Sequence, residues 1–208
     1  MALSAKCLWT DVNEIWDALC VAEDERIISN AQMERWANMA SAFIERIINR
    51  PVIIRTIDEK HDGNGTKLLY VDKTPTVSLL RLRIWDCDFS GFEDVNVDQT
   101  PGPDKEVDFD APSGRLCLLD TCPVSYFTVG KGNIEVCYRA GFDEGDLEVL
   151  KEAGIEMIAV RYNELGRNPR EQIRTDTINT VSAFTKGDFD ELPWMMQQAV
   201  LFYKKRKV

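Results

Sequence analysis

The chain has 208 residues, 44% hydrophobic and 29% charged, which suits one medium globular domain or one domain with arms. No apolar run reaches the ~18 residues that a membrane-spanning helix needs. The formal net charge is −10, the opposite of the Lys and Arg surplus that a sequence-independent nucleic-acid binder turns toward phosphates.

The charge is uneven. Lys204, Lys205, Arg206 and Lys207 form a basic tail on an acidic body. The first residues, "MALSAKCLWTDVNEIW", hold no apolar core of signal-peptide length. Cysteines stand at 7, 20, 87, 117, 122 and 137, and no pair has CxxC spacing. With no export signal, a reducing cytosol and free thiols are expected.

Val12, Ile15, Trp16 and Leu19 recur at helical spacing behind Thr10, a capping residue, and predict a short helix over 11–20. Next comes a long amphipathic stretch with Ile28, Ala31, Met39, Ala42, Phe43 and Ile47 on one stripe. Glu23, Asp24 and Glu25 suit its first turn and Pro51 ends it, which predicts a helix over 23–49.

The period then changes to two. Strands are predicted at 52–57, 67–71, 77–85, 115–119, 124–129 and 133–142. "GKGN" (130–133) has the residues of a hairpin turn. Residues 86–110 hold nine acidic side chains and one basic, and "TPGPD" within them cannot continue a strand. They read as an acidic excursion between two strands.

From 145 the helical period returns. Leu147, Val149, Leu150, Ile155, Met157, Ile158 and Val160 make that helix apolar nearly all round, a pattern of helices buried in their own fold or by partners. Gly154 in its interior costs about 1 kcal/mol against Ala, and tight helix packing is the expected reason. Residues 168–191 are polar and read as an extended arm. The closing segment "LPWMMQQAVLFYKKRK" reads as a helix, with Pro193 in its first turn and the basic cluster in its last.

"HDGNGT" (61–66) holds the only histidine, His61. Calcium-loop spacing fails, because Lys67 falls where the glycine is needed and Lys73 where the glutamate is. Neither a P-loop nor a GxGxxG fingerprint fits. Asn and Gly tolerate positive φ, so a hairpin turn is expected, with His61 at the surface. The acidic excursion offers oxygen ligands for calcium, but at no known loop spacing, and a solvated charge run is the expectation. No GxSxG, HExxH or SxxK is present, and a cysteine nucleophile would find only His61 as a base. Catalysis, a cofactor and a bound metal are therefore not expected.

The order of elements resembles that of the head–tail connector (adaptor) proteins of tailed bacteriophages. The similar stretches are "EDERIISNAQMERWANMASAFIERIINRP", "HDGNGTKLLYVDKTPTVSLLRLRI", "NIEVCYRAGF" with the helix after it, and "IRTDTINTVSAF" followed by "LPWMMQQAVLFYKKRK". Together they cover residues 20–208. The chain departs from the family in the excursion 86–110 and in "GFDEGDLEVL", where the family often has a proline before the helix.

The resemblance implies an α+β fold: a mainly helical bundle with a β-rich insert and an extended C-terminal arm and helix. Its parts are N-terminal helices (1–50), the insert (51–142), a buried helix completing the bundle (143–167), and the arm with the basic helix (168–208). It implies a virion structural protein of the neck, assembled in the host cytoplasm. Copies would form a ring, usually twelvefold, beneath the portal, extend the DNA channel and dock the next neck or tail protein. DNA would pass without sequence-specific binding, helped by carboxylates that repel phosphate.

Portal docking is expected at Trp194, Leu201, Phe202, Tyr203, Lys204, Lys205, Arg206 and Lys207. A solvent-facing or tail-side acidic loop is expected at Asp86, Asp88, Glu93, Asp94, Asp98, Asp104, Glu106, Asp108 and Asp110. Trp16 and Trp36 are expected in the core. The alternatives are a neck stopper or tail-completion protein, a calcium- or glycan-binding β-module, and a small hydrolase.

Overall fold

A computed structural model describes residues 3–85, 91–100, 102, 104–167 and 194–203. The chain divides into two compact units, one of residues 1–53 with 143–208 and one of residues 54–142.

The first unit is helical. α1 (Val12–Ala18) starts at a capping box: the Asp11 carboxylate accepts from the Asn13 amide, and Glu14 reaches back to accept from the Asp11 amide. The cap is Asp11, one residue beyond the expected Thr10, whose hydroxyl instead donates to Glu14 at 2.7 Å.

The predicted helix over 23–49 is interrupted. Glu23–Glu25 form only a 3₁₀ turn, and α2 runs from Asn30 to Ile48 behind the Ser29 cap. Ser29 wins because its hydroxyl accepts from the Gln32 amide, which fixes a helix start there. α2 ends where Asn49 turns left-handed, two residues before Pro51. Trp16 and Trp36 are both buried, as expected. The Trp16 indole donates to Asn30 at 2.9 Å and meets Tyr162 edge-on.

α3 (Glu144–Arg167) packs on α2 and on α4 (Trp194–Tyr203). Its apolar residues are not all covered: Leu150, Ala153, Met157 and Ile158 are buried on one face, while Val149 and Val160 are exposed. The predicted arm lies outside the described residues.

Among the described residues, the regular elements of the second unit are all strands. β1 (Arg55–Gly63), β7 (Gly130–Ala140), β3 (Thr76–Trp85) and β4 (Phe92–Val95) form one antiparallel sheet in the order β1-β7-β3-β4. β2 (Leu68–Tyr70), β6 (Arg115–Leu118) and β5 (Val107–Asp110) form a second, in the order β2-β6-β5. One apolar core joins them, with Leu82, Ile84, Ile134, Val136 and Tyr138 from the first sheet and Leu69, Val107, Leu116 and Leu118 from the second.

The α+β class holds, but helices take only about a third of the described residues, and the expected predominance of a helical bundle is not seen among them.

Several local expectations are corrected. "HDGNGT" is not a hairpin turn: β1 continues through His61 to Gly63, and the turn passes the chain from one sheet to the other. Asn64 makes that turn locally, its side-chain oxygen accepting from the Thr66 amide and hydroxyl. "GKGN" is not a turn either but the start of β7, paired with the end of β1. Residues 124–129 form no strand. Their backbone bonds to the 65–66 turn, through Gly65 N–H to Phe127 C=O and Phe127 N–H to Thr66 C=O, and the Thr128 C=O accepts from the Asn133 side chain.

The acidic excursion is not a loop. It contributes β4 and β5, whose Val95 and Val107 enter the core. Val107 and Phe109 alternate with Asp108 and Asp110 as a strand's residues do, but each run is only four residues long and half acidic, and aspartate is disfavoured in strands.

Candidate docking surface

α4 presents two faces. Ala199 is buried. Tyr203, one turn on, donates its hydroxyl to the Asp146 carboxylate of α3 at 2.9 Å. Burial and that bond push the Tyr203 phenol up to about 12. These contacts fasten the helix to its own unit.

The opposite face is bare. Trp194, Leu201 and Phe202 are 64%, 63% and 87% exposed, and Gln198 between them is exposed too. Positions 194, 198, 201 and 202 follow helical spacing, so they share one side. Of the docking residues read from the sequence, three therefore stand together and Tyr203 faces inward as an anchor. Lys204, Lys205, Arg206 and Lys207 lie outside the described residues.

The acidic positions are spread along the β-unit. Asp86 and Asp88 lie outside the described residues. Asp94 on β4 pairs with Arg83 of β3 at 2.8 Å, and the hydrogen bond from Arg83 holds the Asp94 carboxyl below its ordinary value. Glu93 is exposed beside it. Asp98 accepts from the Thr100 amide and hydroxyl, which lowers its pKa. Glu106 accepts from the Asn96 amide at 2.6 Å, and the Asp104 carbonyl accepts from the Asn96 side chain at 3.1 Å. Asp108 meets Lys105 at 2.8 Å and Arg115 at 3.8 Å. Asp110 accepts from the Ser113 hydroxyl. Most of these carboxylates serve their own turns and strands. Among the described residues no three His, Cys, Asp or Glu side chains gather as a metal ion requires.

Sequence reasoning missed a buried polar cluster in the β-unit. His61 is largely buried, not at the surface, and its Nε2 lies 3.1 Å from Glu59 Oε2. The same oxygen accepts from the Asp72 amide at 3.0 Å, and the Tyr138 hydroxyl accepts from the Lys73 amide at 3.1 Å. Burial pushes the Glu59 carboxyl up, but hydrogen bonds from His61, the Asp72 amide and Tyr138 outweigh it and hold it below the ordinary value. Burial sends the Tyr138 phenol upward. The signal was the i, i+2 spacing of Glu59 and His61, which puts both on one face of a strand.

The helical unit has a cavity of about 830 Å³, lined by Leu8, Trp9, Ile53 and Leu147 with Glu148 and Lys151 among its charged residues. Lys151 is held by Glu14 at 3.3 Å and Glu148 at 3.1 Å. The five described cysteines are free thiols. No helix among the described residues is long and apolar enough to cross a membrane.

No protein-family model and no curated protein matches the chain. Solved structures with a similar fold include a chain from the virion of a native gene transfer agent particle. It is 16% identical with a TM-score of 0.60, over 100% of this chain and 94% of that one. Another comes from the neck of an empty gene transfer agent particle computed with C6 symmetry. It is 16% identical with a TM-score of 0.54, over 78% of this chain and 83% of that one. At this identity the likeness is one of fold.

Proposed function

We propose that the chain is a structural protein of the neck of a phage-like particle, without catalytic activity. Within the neck we assign it the connector's place: a ring, twelvefold in its usual form, beneath the portal, extending the DNA channel and docking the next neck or tail protein. The observation that carries this reading is the fold likeness over the whole chain to a gene transfer agent virion chain, joined by the likeness to a chain of such a particle's neck.

The surfaces agree with it. An acidic body suits a conduit through which DNA must slide, because carboxylates repel phosphate. The bare Trp194, Leu201 and Phe202 face of α4 is more apolar surface than a solvated helix needs, and a helix-in-groove contact with the portal would cover it. The basic residues after it would speed encounter with acidic groups more than they add affinity.

The experiment is electron microscopy of particles made with and without this chain. With it, density for a ring of copies is expected between portal and tail. Without it, filled heads lacking tails are expected. Normal tailed particles in its absence overturn the reading. A single copy or an outer position in the tail favours the stopper or tail-completion alternative.

A further inference from the structure

A row of charges crosses the outward face of the four-stranded sheet. Lys60 on β1 stands opposite Glu135 on β7, Glu135 opposite Arg83 on β3, and Arg83 opposite Asp94 on β4. Lys60 Nζ lies 2.9 Å from Glu135, Arg83 lies 4.0 Å from the other Glu135 oxygen, and Arg83 Nε lies 2.8 Å from Asp94. The signs alternate across the four strands. The row therefore ends positive at the β1 edge and negative at the β4 edge, and both end side chains are more than half exposed.

Both end strands have a strand partner on one side only among the described residues. A free edge of backbone N–H and C=O groups is a template for pairing with another chain. The three pairings inside the sheet are all antiparallel, so strand direction alternates from β1 to β4. A β1 strand from a second copy, laid beside β4 with the same face outward, would again run antiparallel. It would also continue the charge row with the one sign that fits.

We propose that neighbouring copies join head to tail through these edges, β4 of one beside β1 of the next, with Asp94 of one copy against Lys60 of its neighbour. The chain's own opposite edge is the partner whose strand direction matches and whose Lys60 continues the row. Asp58 and Asp62 beside Lys60 on that face are engaged within the copy, by Arg81 at 3.4 Å and by the Gly132 amide at 2.6 Å. Such a contact uses two different surfaces and repeats from copy to copy, closing into a ring where the rotation permits. This rests on the ring reading above and names the surface that builds the ring.

Zero-length carbodiimide coupling of intact particles, read by peptide mass spectrometry, tests it on the native protein. Lys60–Glu135 links form within one copy and serve as the internal control. Lys60–Asp94 links are expected as well. Within one copy these residues sit three strand spacings apart, about 14 Å, too far for a zero-length link.

Lys60→Cys with Asp94→Cys gives a second measurement, since that separation also exceeds the ~7 Å Cα limit of a disulfide. Oxidised particles carrying the double variant should yield a ladder of multiples of 23.7 kDa that reductant erases. Each single variant, tested alongside for links through native thiols such as Cys137, should yield no ladder. A ring in the neck with neither the Lys60–Asp94 link nor the ladder overturns this interface and leaves the neck reading standing. No ring in the neck overturns both.

Discussion

Trp9 occupies the space that a side chain at Gly154 would need. A Cβ built on Gly154 would lie 2.6 Å from Cη2 and 3.1 Å from Cζ2 of the Trp9 indole, and 3.4 Å from Ile44 Cδ1. Trp9 is 2% exposed and has little room to yield. The glycine thus trades about 1 kcal/mol of helix propensity for close approach of α3 to the N-terminal segment. Gly154→Ala is expected to regain that propensity and lose more to overpacking, about 1–3 kcal/mol, for a net fall in urea-unfolding stability. Trp9→Phe should shrink the cost of the added methyl, because the two positions are in contact and will not be additive.

Asn133 is fully buried and joins three stretches of backbone. Its side-chain oxygen accepts from the Gly63 amide at 2.9 Å, and its nitrogen donates to the Thr128 carbonyl at 2.7 Å and the Trp85 carbonyl at 3.4 Å. Asn133→Leu strands these groups without water. A loss of about 2–3 kcal/mol is expected, with faster hydrogen exchange at Gly63. Unchanged exchange there would show that the amide finds another acceptor.

Gln99 closes the outer edge of β5 with its side chain. Nε2 donates to the Val107 carbonyl at 3.2 Å, and Oε1 accepts from the Phe109 amide at 3.2 Å, as a neighbouring strand would do. Gln99→Ala opens that edge. Sedimentation should then report concentration-dependent self-association beyond that of the native chain, with about 1 kcal/mol lost in unfolding.

The Glu59 carboxyl titrates below its ordinary value of 4.5 in the folded chain. A depressed folded-state pKa adds stability that is fully present above the unfolded value and is lost as pH falls through the folded one. Glu59→Gln should therefore be less stable than the native chain near neutrality, and the gap should narrow below about pH 4.5. Thermal unfolding midpoints taken from neutral to acid pH check this. A gap that stays constant would show that the carboxylate's charge adds nothing beyond its hydrogen-bond geometry.

Leu201→Ser with Phe202→Ser removes exposed apolar surface from α4. Because both side chains are exposed, unfolding stability should shift by no more than about 0.5 kcal/mol. Capture by purified portal should fall at least about tenfold if each side chain contributes ~1.5–3 kcal/mol when covered. Undiminished capture would place the portal contact elsewhere.

Amino-acid order alone determined the local elements, because periodicity reports which side of a segment is apolar. α1, α2, α3 and α4 were legible from i, i+3 and i+4 spacing, and β1, β3, β6 and β7 from alternation, with shifts at their ends. Of the stripe read on α2, however, only Phe43 lies on the buried face, which otherwise carries Met33, Trp36, Ala37, Ala40, Ile44 and Ile48. The apolar content of α4 was legible too. What spacing cannot carry is which strand meets which. Pairing depends on side chains far apart in the chain, so β2 was read as the partner of β1 when it belongs to the other sheet.

The same limit hid β4 and β5, whose Val95 and Val107 are recognisable as core only once the two sheets close over them. His61 read as surface because it stands in a run of turn residues, and only the fold brings the Asp72 amide and Tyr138 to satisfy Glu59 buried beside it. Tertiary structure also decided which side of α4 stays bare. Its apolar residues encircle the helix, and only contact with α3 turns Tyr203 inward and leaves Phe202 out.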